Sequence, residues 1–240
     1  MRIIEKIRRK AENRHGEGAV TLAFLGDSIT EGCFDVYVDR FGKVCTYVDE
    51  SRVYHAEIKH IFGKLYPDCA LNIINAGISG ANARGSLGRV ERDVISHGAD
   101  FALVSFGSND MSEGFEGVAE FKKNMSEIVR KLLGADIEVM VMSAPMNCTY
   151  VSHLLHEKEL RDIAEVISGR VNAGVLKAYA KAAGEVAEEC GVRFLDLYAE
   201  WERLYNAGVD VTALLENHIN HPNGDMHKEM ASLIVREMFR

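Results

Sequence analysis

The 240-residue sequence lacks long apolar runs, paired cysteines and an excess of basic residues. A membrane-spanning helix needs about 18 or more consecutive apolar residues, so no membrane span is expected. The net charge of −8 disfavours nucleic acid as the main partner, because proteins that bind it carry a basic surface. The N-terminal stretch MRIIEKIRRKAENR has no apolar core of a signal peptide, so we expect a cytoplasmic protein.

Cysteine and proline are both scarce. The five cysteines are scattered and form no CxxC pair, which indicates reduced thiols rather than a disulfide framework or a cysteine zinc site. The three prolines lie at predicted element boundaries, and the sequence has no internal repeat, low-complexity tract or linker. We therefore expect one domain over residues 1–240.

Five short apolar runs are nearly continuous, as is typical of strands buried on both faces. They lie at residues 20–25, 71–74, 101–106, 137–142 and 192–195. Helical patterns separate them, and a first helix is expected at about residues 2–14. This alternation predicts a mostly parallel sheet covered on both faces. Segments 29–52 and 144–170 follow strand ends and are candidate substrate walls, or else short local helices and turns.

Four polar stretches follow these strands or precede the last helix: Gly26-Asp27-Ser28, residues 75–82, residues 106–110 and residues 217–227. A serine hydroxyl becomes nucleophilic beside a base, and its tetrahedral intermediate needs hydrogen-bond donors. The stretches supply these groups in Ser28, His221, the Asn109 amide and the Gly80 N–H. Turn chemistry and helix capping explain each stretch taken singly, so the prediction depends on their conjunction and order.

Ser28, Gly80, Asn109 and His221 occur in the order of the four motif residues of the SGNH (GDSL) hydrolases. The chain resembles this family from Phe24 to Ala231. The resemblance implies a flavodoxin-like, three-layer α/β/α sandwich around the five-stranded, mostly parallel sheet. It also implies that Ser28 is the nucleophile and His221 the general base, then acid. The implied oxyanion hole consists of the backbone N–H groups of Ser28 and Gly80 and the side chain of Asn109.

One position departs from the family pattern, which has an aspartate three residues before the catalytic histidine. Here that position is His218, in the sequence Asn217-His218-Ile219-Asn220-His221. A carboxylate there would fix the imidazole tautomer and stabilise the imidazolium. Asn217, His218, Glu216, another carboxylate or a backbone carbonyl is a candidate to orient His221, and the alternative for His218 is an exposed loop residue. A Ser–His dyad with a carbonyl as the acceptor for the imidazole is the favoured prediction, and a weak hydrolase is the alternative.

Three other hypotheses compete with a hydrolase that uses Ser28 and His221. Residues 77–81 differ from the Gly-x-Ser-x-Gly motif of a nucleophile elbow only at the last position, where Ala81 replaces glycine. Ser79 is therefore an alternative nucleophile. A metal-dependent hydrolase would use His218, His221, Asp225 and His227. A nucleotide-binding module would use the glycines near residue 80, but the sequence contains no Gly-x-Gly-x-x-Gly and no Gly-x-x-x-x-Gly-Lys.

The leading hypothesis is a serine esterase that removes a small acyl group, acetyl above all, from a carbohydrate ester. The polar loops with aromatic residues and the absence of an apolar lid favour this substrate. Lysophospholipase, thioesterase and arylesterase activities, and a catalytically weak binding protein, remain alternatives. We expect a small-molecule ester as the partner and neither a cofactor nor a metal ion, and the oligomeric state stays open.

Overall fold

The computed structural model describes all residues 1–240, and a parallel sheet forms its centre. The strands are β1 (Val20–Gly26), β2 (Cys33–Val38), β3 (Val44–Val48), β4 (Leu71–Gly77), β5 (Phe101–Phe106), β6 (Glu138–Ser143) and β7 (Arg193–Leu195). Five of them pair in parallel in the order β4-β1-β5-β6-β7. They match the five predicted runs to within three residues at either end, which confirms the predicted sheet.

Ten helices surround this sheet in a three-layer α/β/α sandwich. They are α1 (Arg2–Glu12), α2 (Ser28–Glu31), α3 (Tyr54–Leu65), α4 (Ala83–Ser86), α5 (Val90–Asp93), α6 (Val118–Gly134), α7 (Lys158–Asn172), α8 (Val175–Cys190), α9 (Leu197–Asn206) and α10 (Gly224–Met238). Helix α3 packs on α10, and α6 packs on α8 and on β6. Every residue of β5 is buried, so the continuous apolar runs mark the centre of the core.

The two long segments contain regular structure of their own. Within residues 29–52, β2 and β3 form an antiparallel hairpin that is separate from the main sheet. Within residues 144–170, an irregular stretch leads into α7. Of the aromatic residues expected in a substrate wall, Phe34 is buried in the core, while Tyr37, Phe41 and Tyr47 are exposed on the hairpin. All five cysteines are free thiols.

Candidate active site

The carboxyl ends of three neighbouring strands bring the first three polar stretches together. Strand β1 lies between β4 and β5, and Gly26 at its end pairs with Gly77 on one side and Ser105 on the other. Parallel strands have their carboxyl ends at the same edge, where open α/β sheets bind ligands. Ser28, Gly80 and Asn109 follow these three strand ends directly.

Ser28 is the first residue of the short helix α2, which begins as soon as β1 ends. Asp27 caps this helix, because its Oδ1 accepts the Ile29 N–H at 3.0 Å. A Cβ at residue 77 would overlap the backbone nitrogen of Glu31, so glycine at the end of β4 lets α2 pack against that strand. The N–H of Ser28 lies in the first turn of α2, where it has no acceptor within the helix.

His221 reaches Ser28 from the loop before α10. Its Nε2 lies 2.9 Å from Ser28 Oγ, although 193 positions separate the two residues in the chain. An antiparallel bridge between Leu215 and Pro222 closes the loop, and the Cys148 N–H donates to the Ile219 carbonyl at 2.8 Å. Burial lowers the pKa of His221 to about 4, so the ring is neutral at pH 7.

Asn217 contacts the other ring nitrogen of His221. Its Nδ2 lies 3.0 Å from His221 Nδ1, and its Oδ1 accepts the backbone N–H groups of Ile219, Asn220 and His221, each at 3.0 Å. Of the three residues considered as orienters of His221, Asn217 is therefore the one against the ring. The favoured prediction of a carbonyl acceptor is wrong, because the atom at Nδ1 is the amide nitrogen of Asn217.

The other two candidate orienters have different surroundings. Glu216 forms an ion pair with Arg52, 3.5 Å from Oε1 to Nη2. His218 has a backbone φ of 53°, in the left-handed region, and its side chain is partly exposed and takes part in none of the hydrogen bonds of the loop. The residue three positions before the histidine therefore forms no hydrogen bond to the imidazole.

Three N–H groups that follow the neighbouring ends of β1, β4 and β5 are candidate donors to a substrate oxygen. Gly80 has a φ of 77°, and its N–H is used by no hydrogen bond within the protein. Asn109 Nδ2 donates to the Ala81 carbonyl at 2.8 Å, which orients the amide and leaves its second hydrogen free. With the Ser28 N–H, these groups form a candidate oxyanion hole.

Buried charged residues hold the loops of this site, and the motif analysis did not find their roles. Asp110 Oδ1 accepts the Ala83 N–H at 3.0 Å and its Oδ2 accepts the Gly107 N–H at 3.1 Å, so one carboxylate joins two loops. Arg89 donates from Nη1 to the Ala76 carbonyl at 2.7 Å and from Nη2 to the Gly26 carbonyl at 2.9 Å. This arginine thereby joins the ends of β4 and β1.

Ser79, the alternative nucleophile, is bonded to a carboxylate rather than to a histidine. Its Oγ donates to Glu31 Oε2, and the same oxygen accepts the Ser79 N–H at 2.6 Å. These bonds hold the residue immediately before Gly80. The arrangement favours a structural role for Ser79 in the loop that presents the Gly80 N–H.

The residues of the hypothetical metal cluster have separate partners. His221 contacts Ser28 and Asn217, whereas His227 Nδ1 accepts the Tyr54 N–H at 3.2 Å. Asp225 is exposed and pairs with Lys228 at 3.0 Å. No three His, Cys, Asp or Glu side chains in the structure are grouped so as to hold a metal ion.

Comparison with known proteins finds similarity over most of the chain. The sequence profile of the GDSL-like lipase/acylhydrolase family matches residues 24–229. An acetylxylan esterase from Geobacillus stearothermophilus is 32% identical over 93 residues, which are 38% of this chain and 39% of that protein. The match thus spans well under half of that relative's length.

Solved structures share the fold across nearly the whole chain. A catalytic mutant of an acetylxylan esterase from Geobacillus stearothermophilus superimposes with a TM-score of 0.67 at 20% identity, covering 92% of this chain and 95% of that one. A two-domain esterase active on acetylated mannans gives 0.69 at 19% identity, covering 98% and 52%. The lipase/acylhydrolase from Enterococcus faecalis gives 0.66 at 20% identity, covering 91% and 95%. None of the helices described above has the length and apolar character required to cross a membrane.

Proposed function

The chain belongs to the GDSL-like lipase/acylhydrolase family, and from this premise we propose that it is a carboxylic ester hydrolase with Ser28 as its nucleophile. The observation that carries the proposal is the 2.9 Å contact between Ser28 Oγ and His221 Nε2 at the carboxyl edge of the sheet. A hydroxyl paired with a neutral imidazole is the arrangement that nucleophilic acyl transfer requires.

The reaction has two stages on these residues. His221 removes the proton of Ser28 as its Oγ attacks the ester carbonyl, and the negative oxygen of the tetrahedral intermediate accepts hydrogen bonds from the candidate oxyanion hole. His221 then protonates the departing alcohol, which leaves the acyl group on Ser28. Water, deprotonated by His221, attacks this acyl-enzyme and releases the carboxylic acid and free Ser28.

The proposed substrate is a small acyl ester, acetyl in particular, on a carbohydrate. The relative named above is an acetylxylan esterase, and one of the solved structures that share the fold is an esterase active on acetylated mannans. In this chain a cavity of about 270 Å³ lies beside the loop that carries His221, although neither Ser28 nor His221 lines it. Its lining has no hydrophobic residue and includes Arg52, Glu216 and Asn223. Such a lining suits the hydroxyl groups of a sugar better than a fatty chain.

Hydrolysis of p-nitrophenyl esters by the wild type and by Ser28→Ala tests this function. Wild-type protein should hydrolyse the acetate ester faster than the octanoate ester, and Ser28→Ala should reduce hydrolysis to the rate of the uncatalysed reaction. Ser96→Ala is the matched control, because Ser96 is exposed in the loop before the amino end of β5, away from the site. Equal turnover by Ser28→Ala and the wild type would remove Ser28 from the mechanism.

A further inference from the structure

The side-chain amide of Asn217 has one orientation that its surroundings permit. Three backbone N–H groups, of Ile219, Asn220 and His221, converge on one terminal atom of this amide at 3.0 Å each. An oxygen accepts such bonds, whereas an NH₂ group in its place would set donors against donors. The loop therefore fixes the oxygen of Asn217 towards the backbone and directs its nitrogen towards His221.

The two hydrogens of that nitrogen have two acceptors. Asn217 Nδ2 lies 3.0 Å from Asn220 Oδ1 and 3.0 Å from His221 Nδ1. A nitrogen that accepts a hydrogen bond carries no proton, and a neutral imidazole has a single N–H. The proton of His221 is consequently on Nε2, the atom that faces Ser28.

This tautomer is the opposite of the one that general-base catalysis needs. Nε2–H donates to Ser28 Oγ across the 2.9 Å contact, so it has no lone pair to receive the serine proton. In the tautomer with a free Nε2, the Nδ1–H would face the N–H of Asn217, which is a repulsive contact between two donors. A carboxylate at this place reverses the preference, because it accepts from Nδ1–H.

We propose that Asn217 is a positioning residue that holds His221 in the Nε2–H tautomer and thereby keeps the enzyme below the rate that its other catalytic groups would support. This inference rests on the proposed serine-esterase function. It predicts that Asn217→Asp raises kcat. In the Ser-His-Asp triad, replacing the carboxylate by an amide leaves the geometry intact and lowers kcat by about 10⁴-fold, which sets the upper limit of the expected gain.

The loop can accommodate the replacement Asn217→Asp without a change in its backbone. Aspartate has nearly the shape of asparagine, and one of its oxygens keeps the three backbone N–H donors now bound by Oδ1. The other oxygen then faces His221 Nδ1, and a half-turn of the Asn220 amide presents its NH₂ group to the new carboxylate. The left-handed backbone of His218 allows a residue four positions before the histidine to reach the ring.

Nitrogen-15 NMR of the histidine side chains tests the tautomer without reference to activity. The His221 signals are identified by their loss in His221→Gln. Wild-type protein at pH 7 should show a protonated Nε2 and an unprotonated Nδ1, and Asn217→Asp should show the reverse. A protonated Nδ1 in the wild type would overturn the inference.

Kinetics with p-nitrophenyl acetate test the consequence. Asn217→Asp should raise kcat at least about tenfold, within the limit set by the triad comparison, with little change in KM. The control is His218→Asp, which adds a carboxylate to the same loop at a position away from the imidazole and should give no gain. An unchanged or lower kcat in folded Asn217→Asp with the reversed tautomer, or an equal gain from His218→Asp, would also overturn the inference.

Failure of the proposed function gives a different result. In that case neither wild-type protein nor Asn217→Asp would hydrolyse any ester above the Ser28→Ala background, while the NMR spectra would still report the two tautomers. Far-ultraviolet circular dichroism and thermal unfolding of each variant show whether it is folded, so a loss of structure is recognised as such.

Discussion

At the scale of single residues, the surroundings of Ser28 combine a neutral base with carboxyl groups that burial makes reluctant to ionise. Burial raises the pKa of Asp27 to about 7 and that of Asp110 to about 6. Burial also lowers the pKa of the nearby His55 to about 4 and that of His227 to about 3. At pH 7 the Asp110 carboxyl is therefore mostly ionised and that of Asp27 partly ionised, while the buried histidines are neutral. The Arg89 guanidinium lies behind the strand ends.

Asn109 is expected to act on the transition state. Asn109→Ala removes one donor from the candidate oxyanion hole, so kcat should fall by about 10²–10³-fold while KM changes little. Steady-state kinetics with p-nitrophenyl acetate measure both constants. Asn72→Ala, an exposed asparagine on β4, is the control and should leave both unchanged. A large rise in KM with kcat intact would instead assign Asn109 to substrate binding.

Asp27 is expected to make stability depend on pH. Because its pKa rises from about 4 in the unfolded chain to about 7 in the folded protein, the folded state binds the proton more tightly, and this contribution is lost as pH rises through that window. Asp27→Asn keeps an oxygen for the Ile29 N–H and removes the ionisation. It should therefore unfold at higher urea than the wild type at pH 8, with the difference shrinking towards pH 4.

The exposed Asp225 provides the matched control for this measurement, since its pair with Lys228 lies in solvent. Asp225→Asn should change the free energy of unfolding by less than about 0.5 kcal/mol at either pH. A difference between Asp27→Asn and the wild type that is the same at pH 4 and pH 8 would show that folding does not raise the pKa of Asp27.

At the scale of elements, the close packing of α2 on the end of β4 sets the position of Ser28. A methyl group at Gly77 would overlap the Glu31 backbone, so Gly77→Ala should lower the free energy of unfolding by about 1–3 kcal/mol and reduce kcat. Gly63→Ala is the control. Gly63 lies within α3 with open space around it, and alanine there should stabilise the protein by about 0.5–1 kcal/mol. Urea unfolding of both variants measures the difference, and equal stability would show that α2 has room to move.

The strands of the main sheet could be predicted from the sequence because each contains a short apolar run, and β1, β5 and β6 are buried along nearly their whole length. The hairpin β2–β3 was missed since it lies outside that sheet and half of its residues are exposed. The alternation of apolar and polar residues in the hairpin and the turn containing Gly42 are both features that predict a hairpin. Helices α7 and α9 were not named from the sequence, although Leu160, Ala164 and Val171 of α7 recur at helical spacing and Asp196 caps α9.

The partner of His221 could not be chosen by counting residues. Spacing in the family pattern pointed to position 218, whereas the left-handed backbone at that residue places Asn217 against the ring. Local backbone conformation of this kind depends on how the loop is held, here by the bridge between Leu215 and Pro222. Likewise, the roles of Arg89 and Asp110 depend on contacts between distant strand ends.

At the scale of the whole molecule, the sheet brings together groups that are far apart in the chain. Ser28 follows β1, Gly80 follows β4, Asn109 follows β5, and His221 precedes α10. Relatives at about one-fifth identity keep the same fold. The loop with Asn217 and His221 is the part in which this chain departs from the family pattern, so the differences in its chemistry are expected there.

The central claim is that Ser28 is the nucleophile, and covalent labelling tests it most directly. The folded protein is incubated with a fluorophosphonate, which is attacked by activated serines, and digested for tandem mass spectrometry. We expect one adduct, on Ser28, that is absent from His221→Gln and from urea-unfolded protein. An adduct on Ser79, or equal labelling of the folded and unfolded protein, would contradict it.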